Sequence, residues 1–276
     1  MKRKTVWIKA INTIWVTAIG LLFLMPLLWM VSSSLKTGPE VFAADFHWLP
    51  NKTQWQNYAM VWTNEKVPFW RLYTNSLFIA VISTVGELLV ASMAGYSLGK
   101  IQFKGRDLAF VVMLVTMMIP AQATIVPRFV IFKSMGLYNN LWALILPAWF
   151  NVTSIFLLRT VYMSLPGDLM DAAKIDGANY FQIWLRIMMP LTKPAMVTAS
   201  VLAFINSWNE YLSAIVFLPT AEHYTVPQGI QYWLSLSDEH NLMMTAAASA
   251  ILPVVLLFLF TQRYFVESIA TTGVKG

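Results

Sequence analysis

Long apolar runs, separated by short polar ones, set the pattern of this chain. Six of them, approximately Ala10–Val31, Leu72–Leu98, Leu108–Val126, Leu141–Leu158, Ala195–Phe217 and Leu242–Phe260, come close to the roughly 20 mostly apolar residues that a helix needs to cross a bilayer. They predict an all-α membrane protein with six transmembrane helices, in one domain over 1–276. Pro26, Pro120, Pro147 and Pro253 fall inside the runs and predict kinks. Small residues recur at every fourth position, at Ala91, Gly95 and Gly99 and again at Ala195, Ala199, Ala203 and Ser207. Such rows let helix backbones approach closely. Between the runs lie a loop at about 32–71, a second at about 160–193 and a tail at about 262–276.

Basic residues orient these elements. Of the 19 Lys and Arg residues, only Lys36, Lys52, Lys66, Arg71, Arg128 and Lys133 fall on the side facing away from the N-terminus. The excess on the other side places both termini in the cytoplasm. The first apolar run exceeds the roughly 7–15 residues of a signal-peptide core, and small residues at Ala43 and Ala44 lie well beyond it. It reads as an uncleaved first membrane helix. Trp29, Trp48, Trp55, Trp62, Trp70 and Trp233 crowd the outer side, as interface anchors or as packing for the long outer loop.

Composition narrows the chemistry. The chain is 58% hydrophobic and 12% charged, against about 25% charged in soluble domains. It has no cysteine, which excludes disulfides and cysteine-ligated metals. The three histidines are scattered through outer loops, and no Ser/His/Asp set converges on one element. The stretch AGYSLGKI, Ala94 to Ile101, lacks the first glycine and the Ser or Thr of a phosphate-binding loop. The net charge of +6 follows the loops and is no nucleic-acid footprint. The chain is therefore expected to be no enzyme and to hold no cofactor. Any energy for transport comes from a gradient or from a partner.

One polar stretch stands out, Leu165 to Pro190. In LPGDLMDAAKIDGA, Asp168 is placed to cap a helix, Asp171 adds a carboxylate to its first turn, and Ala172 and Ala173 favour helix. Gly177 supplies a left-handed stop. A second segment runs from Asn179 to Met189, is stopped by Pro190, and puts Phe181, Trp184, Leu185 and Met188 on one apolar face. The first helix is left projecting, with Asp168, Asp171 and Asp176 against Lys174 alone. A loop that floats at the headgroups would be basic throughout. The acidic projection instead predicts a docking knob for a cytoplasmic protein.

Two acids lie inside apolar runs, Glu87 and Glu210. Intramembrane acids are costly and face a cavity or a partner. Asn206, Asn209, Glu210 and Ser213 fall at i, i+3, i+4 and i+7, with Trp208 and Tyr211 beside them. This stripe offers hydrogen bonds and aromatic faces to a hydroxyl-rich solute, or else holds the bundle together; the path reading is preferred. Glu87, one turn from Ser83, is the weaker candidate.

The stretch DAAKIDGANYFQIWLRIMMPL resembles the EAA loop of binding-protein-dependent ABC importer permeases, with Asp171 for the usual Glu, Gly177 at the loop glycine, and Ile187, Met188, Met189 and Pro190 where I-x-L-P is common. Four further stretches resemble the carbohydrate-uptake permeases, on the side of the smaller permease of the maltose transporter. They are Asn75–Gly105, Met135–Pro147, WNEYLSAIVFL (Trp208–Leu218) and the tail QRYFVESIATTGVKG, where Ser268 replaces a common glycine. The resemblance implies a type I ABC importer permease fold in a bacterial cytoplasmic membrane. It implies a heterodimer with a second permease, two cytoplasmic ATPase subunits that bind the ATP and Mg, an extracytoplasmic solute-binding protein and a sugar substrate. Asp171, Ala172, Ala173, Asp176 and Gly177 would then couple to an ATPase, and Gly273, Val274, Lys275 and Gly276 would approach the ATPase pair. Asn206, Trp208, Asn209, Glu210 and Ser213 would line the sugar path. The competing expectation is a gradient-driven carrier or channel without an ATPase.

Overall fold

The computed structural model describes residues 2–236 and 239–273, and every regular element among them is helical. In chain order these are α1 (Lys2–Ser33), α2 (Gly38–Val41), α3 (Gln56–Trp62), α4 (Phe69–Lys100), α5 (Arg106–Thr116), α6 (Ala121–Ser134), α7 (Trp142–Ala148) and α8 (Val152–Ser164). There follow α9 (Asp168–Ile175), α10 (Tyr180–Ile183), a π-helical turn (Trp184–Met188), α11 (Met189–Leu191) and α12 (Lys193–Trp208). The last are α13 (Leu212–Phe217), α14 (Val226–Leu234), α15 (His240–Ala250) and α16 (Leu252–Gly273).

Four stretches are long and apolar enough to cross a bilayer unbroken: Ile11–Ser33, Phe69–Lys100, Trp142–Ser164 and His240–Arg263. The other two expected spans are broken. α5 and α6 meet at 97°, where the sequence predicts one kinked helix. Pro120 has no N–H to continue a helix, and its ψ of 135° is extended. The residues before it tighten into i→i−3 bonds, Met118 N to Val115 O and Ile119 N to Thr116 O. The expected helix from Ala195 to Phe217 also stops early. α12 ends at Trp208, Asn209 to Tyr211 are not helical, and α13 starts afresh. At its other end α12 lies at 83° to the Tyr180–Leu191 segment.

Pro190 does not stop the second cytoplasmic-loop helix as expected. The chain passes through it by opening a π turn, in which Met189 N bonds Trp184 O. A proline ring collides with the carbonyl four residues before it, and the wider turn relieves that contact. The changed spacing also changes the apolar face. Ile183, Trp184 and Met188 are buried, while Phe181 and Leu185 remain exposed.

Two compact units divide the described residues: those up to 70 with 229–252, and 71–228 with those from 253 to 273. In the first, α15 packs between the C-terminal end of α1 and α3. Thr245 Oγ1 donates to Ser34 O at 3.0 Å, and Trp62 Nε1 donates to Ser249 Oγ at 3.1 Å. Lys36 is buried, its ammonium 4.1 Å from the Trp29 ring, which stacks on Phe46 with Trp48 edge-on. The loop at 32–71 is thus a folded element, and Trp29, Trp48 and Trp62 take part in its packing. The apolar side chains of α1 from Ile11 to Leu28 stay largely exposed, as a lipid-facing helix requires.

In the second unit, α4 crosses α8 where the small-residue row predicts a close approach. A Cβ on Gly95 would lie 2.9 Å from Arg159 N. Arg159 Nε donates to Leu98 O at 3.2 Å, and Lys100 Nζ to Leu165 O at 2.6 Å. Both cations satisfy carbonyls at or near helix C-termini, where the helix dipole favours positive charge.

Candidate functional site

The second unit carries two features that bear on function: a short exposed helix and a cavity. α9 has eight residues. Its N-cap position is Gly167 rather than the expected Asp168, because the backbone is already helical at Gly167 (φ −67°, ψ −32°). Asp168 and Asp171 therefore both sit in the first turn, where the dipole stabilises them. Gly177 ends the helix at φ +83°, with Gly177 N bonded to Lys174 O and Ala178 N to Ala173 O. The space around its Cα is open, so only the left-handed backbone demands glycine. Asn179 and Gln182 then form a reciprocal capping box for α10.

α9 has two faces. Met170 and Ala173 are buried in a core with Tyr96 and Leu98 of α4, Leu158 and Tyr162 of α8, and Ile183, Trp184 and Met188. Asp168, Asp171, Ala172, Lys174, Asp176 and Gly177 face out, and Ile175 is 87% exposed. Of the five expected coupling residues, Ala173 thus faces the core and the other four face solvent. Beneath the helix runs a buried polar chain. Trp184 Nε1 donates to Ser92 Oγ at 2.9 Å, Ser92 Oγ meets Tyr162 OH at 2.6 Å, and Thr192 Oγ1 reaches Tyr162 OH at 3.5 Å. It ties α4, α8, the π turn and the start of α12.

The cavity has a volume of 630 Å³. Its wall includes Glu87 of α4, Thr116, Met117 and Ile119 to Ala121 at the α5–α6 break, Arg128 of α6, Pro147 and Phe150 to Thr153 at the α7–α8 junction, Asn206 and Ser207 of α12, and Glu210 and Ser213. The breaks after α5, α7 and α12 all bring residues to this wall, and a cavity can re-satisfy backbone freed there. Asn151 Oδ1 caps α8 by accepting from Thr153 N and Ser154 N. Glu87 is buried and accepts from Ser154 Oγ at 2.5 Å. Glu210 Oε1 accepts from Ser213 N at 2.7 Å and so caps the restart of the chain as α13.

The expected path residues separate here. Asn206, Glu210 and Ser213 line the cavity; Trp208 and Asn209 do not. Trp208 is buried, stacked on Phe204 at 5.8 Å and edge-on to Tyr73 at 5.3 Å. The stripe assumed one continuous helix, and the stop at Trp208 takes Asn209 out of that register. Glu87, the weaker candidate, lies in the same wall as Glu210. Arg128 is not in a loop, as the charge count took it to be, but within α6 and in the cavity wall. The apolar spacing of Ile125, Phe129 and Phe132 carries the helix past Arg128, and all three pack on the core around Phe217. That spacing was the signal for it. Gly273 is the last residue of α16; Val274, Lys275 and Gly276 lie outside the described residues.

Residues 87–271, which hold both features, match the family described as binding-protein-dependent transport system inner membrane component. The chain belongs to this family. As a member it is an ABC importer permease, a multi-pass inner-membrane transport subunit that performs no catalysis itself, and a carrier without an ATPase is not favoured. The arabinooligosaccharides transport system permease protein AraQ of Bacillus subtilis (strain 168) is 33% identical over 267 residues, which cover 96% of this chain and 95% of that one. The sn-glycerol-3-phosphate transport system permease protein UgpE of Yersinia pestis bv. Antiqua (strain Antiqua) is 31% identical over 256 residues, 90% of this permease and 91% of that one. A crystal structure of a bacterial ABC transporter involved in the import of the acidic polysaccharide alginate contains a chain that superimposes with a TM-score of 0.81 at 26% identity, over 95% of the permease and 98% of that chain. This likeness establishes the type I ABC importer permease fold.

Proposed function

We propose that the permease forms half of the translocation path of an ATP-driven sugar importer and couples an ATPase to that path through α9. The excess of Lys and Arg on one side of the apolar runs supports a cytoplasmic placement of its termini and α9. The single observation that carries the reading is the two-faced α9, with Met170 and Ala173 held in the bundle and an acidic, solvent-facing surface opposite. A helix anchored on one side and bare on the other passes a push from outside into whatever its buried side grips.

What it grips are the walls of the cavity. α4 holds Tyr96 against α9's core and carries Glu87 in the cavity wall nine residues earlier, about 14 Å along the helix. α8 has Tyr162 at one end and Val152 and Thr153 at the other. α12 starts beside Thr192 and ends near Asn206. When two ATPases close on ATP, they move α9, and the chain of Trp184, Ser92, Tyr162 and Thr192 carries that movement to three helices at once. The cavity then opens alternately to the two sides. Asn206, Glu210 and Ser213 offer a solute hydrogen-bond partners within it. Partners of this kind suit sugars, the class named for the arabinooligosaccharide relative.

The remaining partners follow from the same reading: a second permease as the other half of the path, a binding protein that delivers the sugar outside, and ATP with Mg held by the ATPases alone. The C-terminal residues Gly273 to Gly276 approach the ATPase pair. Purification of the permease from its native membrane, with mass spectrometry of what accompanies it, tests this assembly. One ATPase, a second multi-span permease and a solute-binding protein are expected. Recovery of the chain alone, from membranes whose other complexes survive, would reject it.

A further inference from the structure

We propose that Arg128 is a solute-contacting, specificity-determining residue of the cavity, which grips hydroxyl groups of a neutral sugar. The proposal deepens the sugar-import reading and rests on it. Arg128 Nη2 donates to Ser213 Oγ at 2.7 Å, and its Cζ lies 5.0 Å from the Phe217 ring. Ser213 N in turn donates to Glu210 Oε1 at 2.7 Å. One serine thus holds a guanidinium on its side chain and a carboxylate on its backbone, and both charges belong to the cavity wall.

Ser213 is the one protein acceptor for Arg128 among the described residues, and the buried Nε has none. A guanidinium carries five N–H groups. Ser213 takes one of them and the Glu210 carboxylate lies near as a countercharge, so donors remain on the guanidinium, and ionisable groups in a membrane bundle face a solute or an ion. A clasp that only held α6 to α13 through Ser213 would need no charge. A sugar supplies what is missing, because each of its hydroxyls both donates and accepts. Neighbouring hydroxyls match a fixed pair of guanidinium donor and carboxylate acceptor. Charge narrows the class further. Glu210 balances Arg128, and the wall holds no further cation for a phosphorylated or acidic solute.

The test uses cells in which the importer carries either the natural permease or its Arg128→Met form, and counts uptake per assembled complex. Tritiated maltotriose, arabinotriose and xylotriose are offered first, and the sugar taken up fastest is then compared, at saturation, with its monodeoxy derivatives. Loss of a charged hydrogen bond predicts a maximal rate lower by about tenfold in Arg128→Met. At least one derivative that the natural permease moves more slowly than the parent sugar should move at the parent's rate in the variant. Slowing of every derivative by the same factor, or an unchanged rate, would overturn the proposal. Arg128→Lys, which keeps the charge and loses the fork, carries the same comparison should Arg128→Met fail to assemble. A natural permease that moves none of these sugars would instead overturn the reading beneath it.

Discussion

A methyl group on Gly86 would lie 2.0 Å from Nε1 of Trp149, whose indole donates to Ile82 O at 3.3 Å. The ring has to leave that place if Gly86 becomes alanine, and overpacking of this kind costs about 1–3 kcal/mol. Gly86→Ala is expected to lower the thermal midpoint of the purified protein, and Trp149→Leu in the same chain should recover part of the loss. Glu210 makes a different demand. Its carboxylate caps the chain at Ser213 and also borders the cavity. Loss of the cap alone costs about 1 kcal/mol, which a bundle of this size tolerates. Glu210→Ala should therefore reduce sugar uptake by about tenfold, the worth of one charged hydrogen bond to a solute, while the amount of assembled complex changes little. Equal loss of uptake and of complex, by quantitative immunoblot, would assign Glu210 to the scaffold alone.

At the scale of elements, α9 depends on a stop that only glycine makes at low cost. A β-branched residue at φ +83° is strained by about 1–2 kcal/mol, and the turn shifts to escape it. Gly177→Val is expected to insert normally and to leave ATP hydrolysis running in the purified complex while sugar uptake falls. Normal uptake by that variant would remove α9 from the coupling route. The exposed helix, its two carboxylates and its glycine stop were legible in the sequence because each rests on local backbone chemistry. So were six apolar runs and the close crossing at Gly95. The breaks at Pro120 and at Asn209 to Tyr211 were not, because an apolar run reads the same whether or not its helix is continuous. Where the chain breaks is decided by what the freed backbone and side chains meet in three dimensions, such as Glu210 on Ser213 N. The π turn before Pro190 is of the same kind, and it replaced the expected apolar face of Phe181 and Leu185 with one built on Ile183. Arg128 was hidden for a related reason: a helix restarted after Pro120 carries it into a wall shared with α4, α8 and α12, and no spacing along the chain records that meeting.

Across the molecule, the helices that hold α9 at one end line the cavity further along, so docking and path are joined by rigid elements. That arrangement needs a partner that touches α9 from outside. The most direct measurement places a photo-crosslinking amino acid at Ala172, which faces solvent on α9, and irradiates the native membrane with and without ATP. The account predicts a cross-link from Ala172 to an ATPase subunit, with a yield that changes as ATP is bound. A probe at Ala172 that reaches only lipid or this chain, in membranes where sugar uptake is intact, would contradict it.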